Sequence, residues 1–309
     1  MAAFARSAPC WVDVQLPDLE AGKRFYGELF GWTFRAGEGP YADAFSGGKL
    51  VAALAAKQDG RMPTAWGIYF ATDDIVASVT RIREAGGQVI TEPVRAGRAG
   101  VLAQAADPGG AVFGLWQAGD REGFQKQNEP GSFCWTEVYT RQKDRVDPFY
   151  ERVFGFQGTD LDDAGPGDAG PDDAVFNDAA PEGSGPDDSG PEDSDTRPDD
   201  SRSGDSAPDD SRSAGFRMWS PAGTEPGPDT AVGGRSVITD ALPAEMPSYF
   251  LSYFAVEDCN RTAGNAVRLG GRISAAPFDI PYGRMAVLQD DQGAVFAVLQ
   301  PPVSENGAE

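Results

Sequence analysis

Two carboxylates that each follow a tryptophan by two residues are the side chains of this sequence best placed to do chemistry. Asp13 follows Trp11, and Glu137 follows Trp135. Alternate residues of a β-strand point to the same face of the sheet, so each acid is predicted to lie beside its tryptophan. An aromatic ring beside a carboxylate can stack a planar ligand and orient a positive group on it. The two acids are therefore candidate catalytic residues, and the two tryptophans are candidate ligand-binding residues.

The chain of 309 residues contains no histidine, which limits both metal binding and acid–base catalysis. Divalent transition metals in protein sites almost always use an imidazole or a thiolate ligand. Cys10, Cys134 and Cys259 do not have a metal-binding spacing, and they are predicted to be reduced, buried thiols. We therefore expect no metal and no other cofactor, and any catalysis would have to use carboxylates, tyrosines or arginines.

The segments that would position these residues occur twice in the chain. The strand around Trp11 and the motif FYGELFGW at Phe25 recur 124 residues later, around Trp135 and as FYERVFGF at Phe149. A later segment, DPGGAVFGLWQ, recurs as DDQGAVFAVLQ at an offset of about 184 residues. Self-similarity over so long a period indicates two copies of a whole domain in tandem rather than a solenoid.

The larger offset means that the second copy carries an insertion, and the composition shows where it lies. Between Asp160 and Ser213, 18 acidic residues accompany three arginines, so this segment holds a net charge of −15 of the chain's −22. Such a Pro-, Gly-, Ser- and Asp-rich segment predicts disorder, and its acids lack the fixed spacing of a calcium-binding loop. The predicted domains are 1–122 for the first copy, 123–157 with 215–302 for the second, 158–214 for the disordered insert, and 303–309 for a flexible tail.

Outside the insert the charge is modest, and this excludes some classes of partner. No basic stripe is visible, so nucleic-acid binding is not expected. The sequence contains no apolar run long enough to span a bilayer and no hydrophobic signal segment at its start, so we expect a cytoplasmic protein that does not bind membranes. The mild acidity is compatible with a cationic ligand. Two fused copies favour a monomer, although a dimer stays open.

Hydrophobic periodicity predicts alternating strands and helices within each copy. The first copy is predicted to begin with a strand over residues 10–16. Helices are predicted from an N-cap at Asp18 to Gly31 and from an N-cap near Asp74 to Gly86. The further predicted strands are 41–46, 50–55, 65–72, 88–91, 100–106 and 111–117. Each copy is thus predicted to contain two βαβββ units, which is an α+β fold.

These motifs, in this order and duplicated, resemble the vicinal oxygen chelate superfamily. This superfamily includes glyoxalase I, extradiol dioxygenases, and fosfomycin and bleomycin resistance proteins. The CW…FYxxxFGW pattern, together with GRMAVL from Gly283, is similar to a two-domain actinobacterial branch whose members are often labelled hydroxylases, some of them associated with aromatic polyketide biosynthesis. The resemblance implies two tandem glyoxalase-like domains, each with a curled mixed sheet that forms an open cup and has helices on its outer face.

The resemblance also implies where a metal would be bound, and this sequence departs from the family there. Metal-using members bind a divalent ion with His, Gln or Glu from the first strand, from the strand that opens the second unit, and from the last strand. The corresponding positions are Trp11, Gly67 and Gly114 in the first copy, and Trp135, Leu251 and Ala297 in the second. None of these side chains can coordinate a metal.

Alternation along the strands predicts which side chains line the two cups. The predicted ligand-binding residues are Trp11, Gln15, Tyr69, Trp116, Trp135, Tyr139, Tyr253 and Arg284. Simpler interpretations stay open: the tryptophans fill the vacated metal pockets as core, Asp13 and Glu137 cap backbone or pair with arginine, and Arg284 forms a salt bridge with an acidic loop.

Two classes of function are consistent with these observations. The first is a metal-free binding protein that holds an aromatic or basic secondary metabolite, either to sequester it or as an accessory to a biosynthetic oxygenase. The alternative is a metal-independent enzyme, such as an isomerase, cyclase or hydroxylase helper, with Asp13 or Glu137 as base. A third, weaker hypothesis is a structural pair of domains in which the acidic insert binds a partner.

Overall fold

The computed structural model describes residues 4, 6–37, 39–161, 215–239 and 245–302, and these form two domains of the same topology. The strands of the first domain are β1 (Pro9–Leu16), β2 (Thr33–Ala36), β3 (Tyr41–Ser46), β4 (Lys49–Ala56), β5 (Trp66–Ala71), β6 (Gln88–Ala96), β7 (Gly100–Ala106) and β8 (Val112–Ala118). Those of the second are β9 (Ser132–Thr140), β10 (Gln157–Leu161), β11 (Phe216–Ser220), β12 (Gly233–Val237), β13 (Tyr249–Ala255), β14 (Arg272–Ile280), β15 (Gly283–Gln289) and β16 (Val295–Gln300). The helices are α1 (Leu19–Phe30), α2 (Ile75–Glu84), α3 (Lys143–Phe154) and α4 (Cys259–Arg268).

Each domain consists of two βαβββ units whose strands join into one eight-stranded mixed sheet. The strand order is β2-β3-β4-β1-β5-β8-β7-β6 in the first domain and β10-β11-β12-β9-β13-β16-β15-β14 in the second. The two orders are the same when the second domain's strands are renumbered from one. The predicted α+β fold, with two tandem domains that each contain two βαβββ units in one mixed sheet, is confirmed.

The helices begin and end at the residues that the sequence signals. The Asp18 side chain accepts a hydrogen bond from Ala21 N at 2.9 Å, which satisfies a free amide of the first turn of α1. Gly31 ends the same helix with φ at 70°, a left-handed conformation that glycine adopts at little cost. Asp74 and Asp258 cap α2 and α4 in the same way as Asp18 caps α1. No helix within the described residues is long and apolar enough to span a bilayer.

The helices cover the outer faces of both sheets and meet between the two domains. α1 contacts α4, and α2 contacts α3, so each helix pair joins the two copies. Ring contacts continue this core across the interface, with Phe30 5.3 Å from Phe254 and Phe70 4.9 Å from Phe154. The two domains therefore share one hydrophobic core, which also includes Trp11, Tyr69 and Trp116 of the first sheet. The inner face of the second sheet forms a separate hydrophobic cluster.

The repeated motifs pair with each other across this interface. Tyr26 of the first FY motif donates a hydrogen bond to Asp290 Oδ2 in the second domain at 2.8 Å. Tyr150 of the second FY motif donates to Asp107 Oδ2 in the first domain at 3.1 Å. The two copies are thus related by a pseudo-twofold axis at the interface. The FYxxxFG motif of each copy supplies the tyrosine that donates this bond, and the Asp-x-x-Gly motif of the other copy supplies the aspartate that accepts it.

The boundary of the second domain differs from the prediction by four residues. Residues 158–161, which were assigned to the insert, belong to β10 and pair with β11 at the edge of the second sheet. The remainder of the predicted insert, 162–214, and the predicted tail, 303–309, lie outside the described residues.

All three cysteines are unpaired, as the sequence predicted. Cys10 and Cys259 are buried. Cys134 is only partly buried, which differs from the prediction for this thiol.

Candidate functional site

The inner faces of the two sheets contain the side chains that the sequence singled out, apart from Arg284. Cup one is the inner face of the first sheet, around Trp11, Asp13, Tyr69 and Trp116. Cup two is the inner face of the second sheet, around Trp135, Glu137, Tyr139 and Tyr253. The strand register aligns Trp11 with Tyr69 and Tyr69 with Gly114, and it aligns Trp135 with Tyr253 and Tyr253 with Ala297.

A chain of hydrogen bonds crosses cup one through five strands. The Thr91 hydroxyl donates to Gln104 Oε1 at 3.3 Å, and Gln104 is hydrogen-bonded to the Tyr69 hydroxyl. Tyr69 in turn donates to Asp13 Oδ2 at 3.0 Å. A second hydroxyl, that of Tyr41 on β3, is also hydrogen-bonded to Asp13. Asp13 therefore accepts hydrogen bonds from two phenol hydroxyls of its own chain.

Burial changes the acidity of Asp13. Removal of the carboxylate from water raises its pKa from 3.8 to about 7, although the hydrogen bonds from Tyr69 and Tyr41 act in the opposite direction. The nearby Asp13 charge raises the pKa of Tyr41, and burial raises that of Tyr69 further. The acid is therefore partly protonated near neutral pH, and both tyrosines stay neutral.

Aromatic and charged side chains fill the remainder of cup one. Arg121 forms an ion pair with Asp43 at 2.6 Å, and its guanidinium carbon lies 5.2 Å from the centre of the Trp11 ring. The Trp116 indole donates to the Arg121 carbonyl at 2.9 Å. Trp11 is 6% exposed and Trp116 is 7% exposed. In this cup the interpretation of the tryptophans as core therefore fits the packing.

The small residues at two predicted metal positions make room for Tyr69 and Asp13. A Cβ atom on Gly114 would lie 2.0 Å from Tyr69 Cδ1, and one on Gly67 would lie 2.9 Å from Asp13 Oδ1. The register also shows that Tyr69, not Gly67, stands between Trp11 and Gly114 on the three central strands. The space that a metal centre would need is taken by a phenol ring and a hydrogen-bonded acid.

In cup two, the acid is held by more donors than in cup one. The Trp135 indole donates to Glu137 Oε1 at 2.9 Å, and the Ser236 hydroxyl donates to Oε2 at 3.1 Å. Tyr139 and Tyr253 are also hydrogen-bonded to this carboxylate. Burial raises the pKa of Glu137, and these hydrogen bonds lower it. Both carboxylate oxygens are engaged within the protein.

An apolar cleft of about 200 Å³ opens beside these residues, where cup two meets the first domain. Its first-domain wall is the segment from Thr64 to Trp66. Its second-domain wall includes Tyr249, Leu251, Val287 and Val295. The Tyr249 ring stacks on the predicted residue Tyr139, with centroids 5.1 Å apart and an interplanar angle of 4°. The cleft is thus a continuation of the aromatic floor of cup two.

The predicted site residues lie outside the wall of this cleft. Gln15 is half-buried on β1 of cup one, where it pairs with Ala55 of β4. Trp135 is half-buried in cup two. None of the ten predicted catalytic and ligand-binding residues is part of the cleft lining.

Arg284 does not belong to either cup, so its prediction as a ligand-binding residue is corrected. Its guanidinium forms an ion pair with Asp279 at 2.8 Å and a hydrogen bond with Asn260 of α4 at 3.1 Å. The neighbouring residue, Met285, is the one that faces cup two, so alternation along β15 turns Arg284 to the helix side. The salt bridge that was the simpler interpretation of this arginine is present.

Several site residues were missed in the sequence. Tyr41, Asp43 and Arg121 complete cup one, but they lie on strands and loops far from β1 in sequence. Tyr249 carried a usable signal, because it lies two residues before Leu251 and so faces the same side of β13.

The donor set in the two cups does not match a metal centre of the family type. Neither row of three central-strand residues, Trp11–Tyr69–Gly114 or Trp135–Tyr253–Ala297, contains a carboxylate, imidazole or thiolate. Within the described residues, no group of three or more Cys, Asp or Glu side chains is arranged to hold a metal ion. These residues therefore do not fit the metal that the fold family implies.

Comparison with known proteins places the chain in a family. The sequence model of the Glyoxalase/Bleomycin resistance protein/Dioxygenase superfamily matches residues 10–115. The protein named "Putative glyoxylase CFP32" from Mycobacterium tuberculosis is 33% identical over 96% of each chain. The anthracycline biosynthesis protein DnrV of Streptomyces peucetius is 31% identical over 97% of this chain and 95% of its own.

A solved structure shares the fold at low sequence identity. The Mn(II)-bound glyoxalase from Novosphingobium aromaticivorans aligns with a TM-score of 0.56 and 14% identity, over 96% of this chain and 82% of that one. Together with the full-length relatives, this likeness confirms the resemblance seen in the repeated motifs. The chain belongs to the glyoxalase/bleomycin resistance protein/dioxygenase superfamily.

Proposed function

We propose that this protein binds a small, neutral aromatic compound in the cleft of cup two, and that it does so without a metal. The observation that carries the proposal is the apolar cleft itself, with Trp66, Tyr249 and Phe250 among its lining residues. Concave sites with apolar and aromatic walls and few polar groups are the usual binding sites for small organic molecules. The aromatic walls favour a planar ligand, because rings gain contact energy from stacked or edge-to-face arrangements.

The size of the cleft limits the ligand. An engineered apolar cavity of about 150 Å³ is large enough to bind benzene. The cleft of about 200 Å³ is somewhat larger. We therefore expect it to hold one or two fused rings, or one end of a longer planar molecule that extends into solvent.

The electrostatics of cup two favour a neutral ligand over a cationic one. Glu137 already accepts hydrogen bonds from Trp135 and Ser236, so a ligand cation would have to displace these donors. The side chains from Tyr249 to Leu251 and at Val287 and Val295 carry no formal charge. An ammonium group would lose its hydration on entering such a site and gain no partner. Of the two ligand classes predicted from the sequence, the aromatic class is the one we propose.

The relatives suggest the biological setting for such a ligand. One related protein of similar length is named for anthracycline biosynthesis. We propose that this chain holds an aromatic secondary metabolite, to sequester it or to present it to a biosynthetic oxygenase. The acids of both cups are engaged by neighbouring side chains, so we propose binding rather than acid–base catalysis.

The test is titration calorimetry with three probes that share a naphthalene ring. We expect 1-naphthol to bind with a 1:1 stoichiometry, and we expect 1-naphthylmethylammonium and naphthalene-1-sulfonate to bind at least about tenfold more weakly because their charges would be desolvated. A tricyclic probe, 1,4-dihydroxyanthraquinone, measures whether a longer ring system still enters.

Two variants at equivalent positions of the copies locate the site. Val295→Phe adds a ring at the half-buried rim of the cleft and should abolish 1-naphthol binding. Val112→Phe makes the same change at the corresponding exposed residue of β8 in the first domain, and should leave binding unchanged. No heat of binding with any probe, or equal loss in both variants, would falsify the proposal.

A further inference from the structure

We infer that Tyr26 and Asp290 are positioning residues for the ligand cleft, which they act on through Trp66. This inference rests on the proposed function, because it assigns a role to residues that do not line the cleft themselves. Trp66 does line it, on the first-domain side, and is 5% exposed.

A buried hydrogen-bond chain connects the two walls of the cleft. The Trp66 indole donates to the Tyr26 hydroxyl at 3.1 Å, and that hydroxyl donates to Asp290 Oδ2 at 2.8 Å. The other oxygen of Asp290 accepts from the backbone of Ala294 at 2.7 Å, and the next residue, Val295, lines the opposite wall. A side chain of the first domain is therefore tied to the turn that begins a cleft-lining strand of the second.

The components of this chain are fixed by their surroundings. Asp290 also accepts a hydrogen bond from Gln292 N at 2.9 Å, so its carboxylate has a defined orientation. Tyr26 is fully buried, and its ring lies edge-on to Trp66 with centroids 5.3 Å apart. A buried side chain with fixed hydrogen-bond partners holds its neighbours in one arrangement, which preorganises a binding site.

The second copy contains the matching bond, but there, among the described residues, the tyrosine hydroxyl accepts no hydrogen bond from a side chain of the cleft wall. Tyr150 donates to Asp107 Oδ2 at 3.1 Å, as Tyr26 does to Asp290. The residue that corresponds to Trp66 is Phe250, whose ring lies 6.2 Å from that of Tyr150 and has no N–H group to donate. Both tyrosines therefore make the same bond across the interface, but only Tyr26 is also hydrogen-bonded to a side chain of the cleft wall. Tyr150 thus provides a matched control.

The experiment compares Tyr26→Phe with Tyr150→Phe in the full-length chain, with 1-naphthol as the probe. Each variant removes one buried phenol hydroxyl and its bond to an aspartate across the interface, and Tyr26→Phe also leaves the Trp66 indole without its acceptor, so Tyr26→Phe should lower Tm at least as much as Tyr150→Phe. We expect the dissociation constant for 1-naphthol to rise about tenfold in Tyr26→Phe and less than about twofold in Tyr150→Phe. Because both variants lose the same bond across the interface, a difference in affinity reports on the bond from Trp66 in the wall of the cleft.

A second variant keeps the inference testable if Tyr26→Phe does not fold. Trp66→Phe keeps a ring in the wall but removes the indole donor, and it should weaken 1-naphthol binding as well. In the double variant the two effects should not add, because both single changes break the same chain. Equal affinity in Tyr26→Phe and Tyr150→Phe, or full additivity in the double variant, would overturn the inference. If the unmodified protein does not bind 1-naphthol, the proposed function fails instead.

Discussion

Cup one and cup two occupy equivalent places in two domains of the same topology, but their outer strands have different chemistry. In cup one, Gln104 stands opposite Gly114 and is joined to Thr91 and Tyr69 by hydrogen bonds. In cup two, the residue opposite Ala297 is Val287, and the next strand contributes Ala275. The polar row that crosses the first cup is therefore replaced by an apolar row in the second.

This difference explains why one cup is filled and the other has a cleft. Tyr69 and Asp13 are buried, and Gln104 and Thr91 are half-buried. Buried polar groups need hydrogen-bond partners, so these four side chains bond to one another across cup one. An apolar row has no such requirement, and Val287 can form the wall of an open cleft. Both cups keep a hydrogen-bonded acid on the central strand, and the outer strands of the same sheet topology supply polar side chains in cup one and apolar ones in cup two.

The largest expected effect is at Gly114, where the closed packing of cup one allows no side chain. In Gly114→Ala, the new methyl would lie 2.0 Å from Tyr69 Cδ1, and Tyr69 is held by its hydrogen bond to Asp13. Overpacking of this kind typically lowers the free energy of unfolding by about 3 kcal/mol. Urea denaturation would measure the change.

The corresponding position of cup two supplies the control for this change. Ala297 is fully buried there beside Tyr253. Ala297→Gly removes a methyl from a site that accommodates one, so we expect it to lower the free energy of unfolding by only about 1 kcal/mol. If Gly114→Ala is as stable as the unmodified protein, the closed description of cup one is wrong.

The next effect concerns the pH dependence of stability through Asp13. Its pKa is raised to about 7 in the folded state, from an ordinary value of 3.8. The folded state therefore retains a proton that the unfolded state releases between about pH 4 and pH 7, and stability from this group falls as pH rises through that window. The slope is about 1.4 kcal/mol per pH unit at most within the window.

Asp13→Asn removes this titration, so its unfolding free energy should not show the same decline. We expect the unmodified protein to lose about 2.6 kcal/mol relative to the variant between pH 5 and pH 8. Glu137→Gln should change the slope in the same direction, because burial raises the pKa of Glu137 as well. Parallel pH profiles for the unmodified protein and Asp13→Asn would show that Asp13 is ionised throughout.

A third prediction exchanges the chemistry of the two cups at one register position. Val287→Gln places an amide in the wall of the cleft and should raise the dissociation constant for 1-naphthol about tenfold, because the amide loses water without gaining a partner. Gln104→Val makes the reverse change in cup one and should leave that constant unchanged while lowering stability. Calorimetry on both variants measures the first effect and urea denaturation the second. Equal affinities in the two variants would mean that the probe does not bind in cup two.

The sequence predicted most of the fold because the strong signals are local. The N-caps at Asp18 and Asp74 and the glycine at Gly31 mark helix ends directly, and the repeat transfers them to the second copy. β2 was missed because its four residues are mostly exposed and show no alternation. β6 runs five residues beyond its predicted end, since two register shifts opposite β7 interrupt its pattern.

The site was less predictable because it depends on contacts between distant segments. Alternation along β1 and β9 correctly placed Trp11, Asp13 and their counterparts on the inner faces. The cleft itself joins Trp66 of one domain to Val295 of the other, and no local pattern reports such a junction. Val287 forms part of the cleft wall. Only the strand register, which places Val287 opposite Ala297, shows that it faces cup two.

The smallest expected effect is that of a substitution at Arg284, on the outer side of the second sheet and away from cup two. Arg284 is 32% exposed in its side chain and pairs with Asp279, which is 78% exposed, so the pair is well solvated. Ion pairs of this kind contribute little to stability because both charges stay hydrated. Arg284→Ala should therefore leave the free energy of unfolding almost unchanged, and it should leave the affinity for 1-naphthol unchanged because the guanidinium lies on the α4 side of β15. The matched change on the inner side, Met285→Ala, removes a fully buried side chain next to Arg284 and should lower stability by about 3 kcal/mol. A loss of probe affinity in Arg284→Ala would return this arginine to the binding site and would require the ligand to reach the outer face of the sheet.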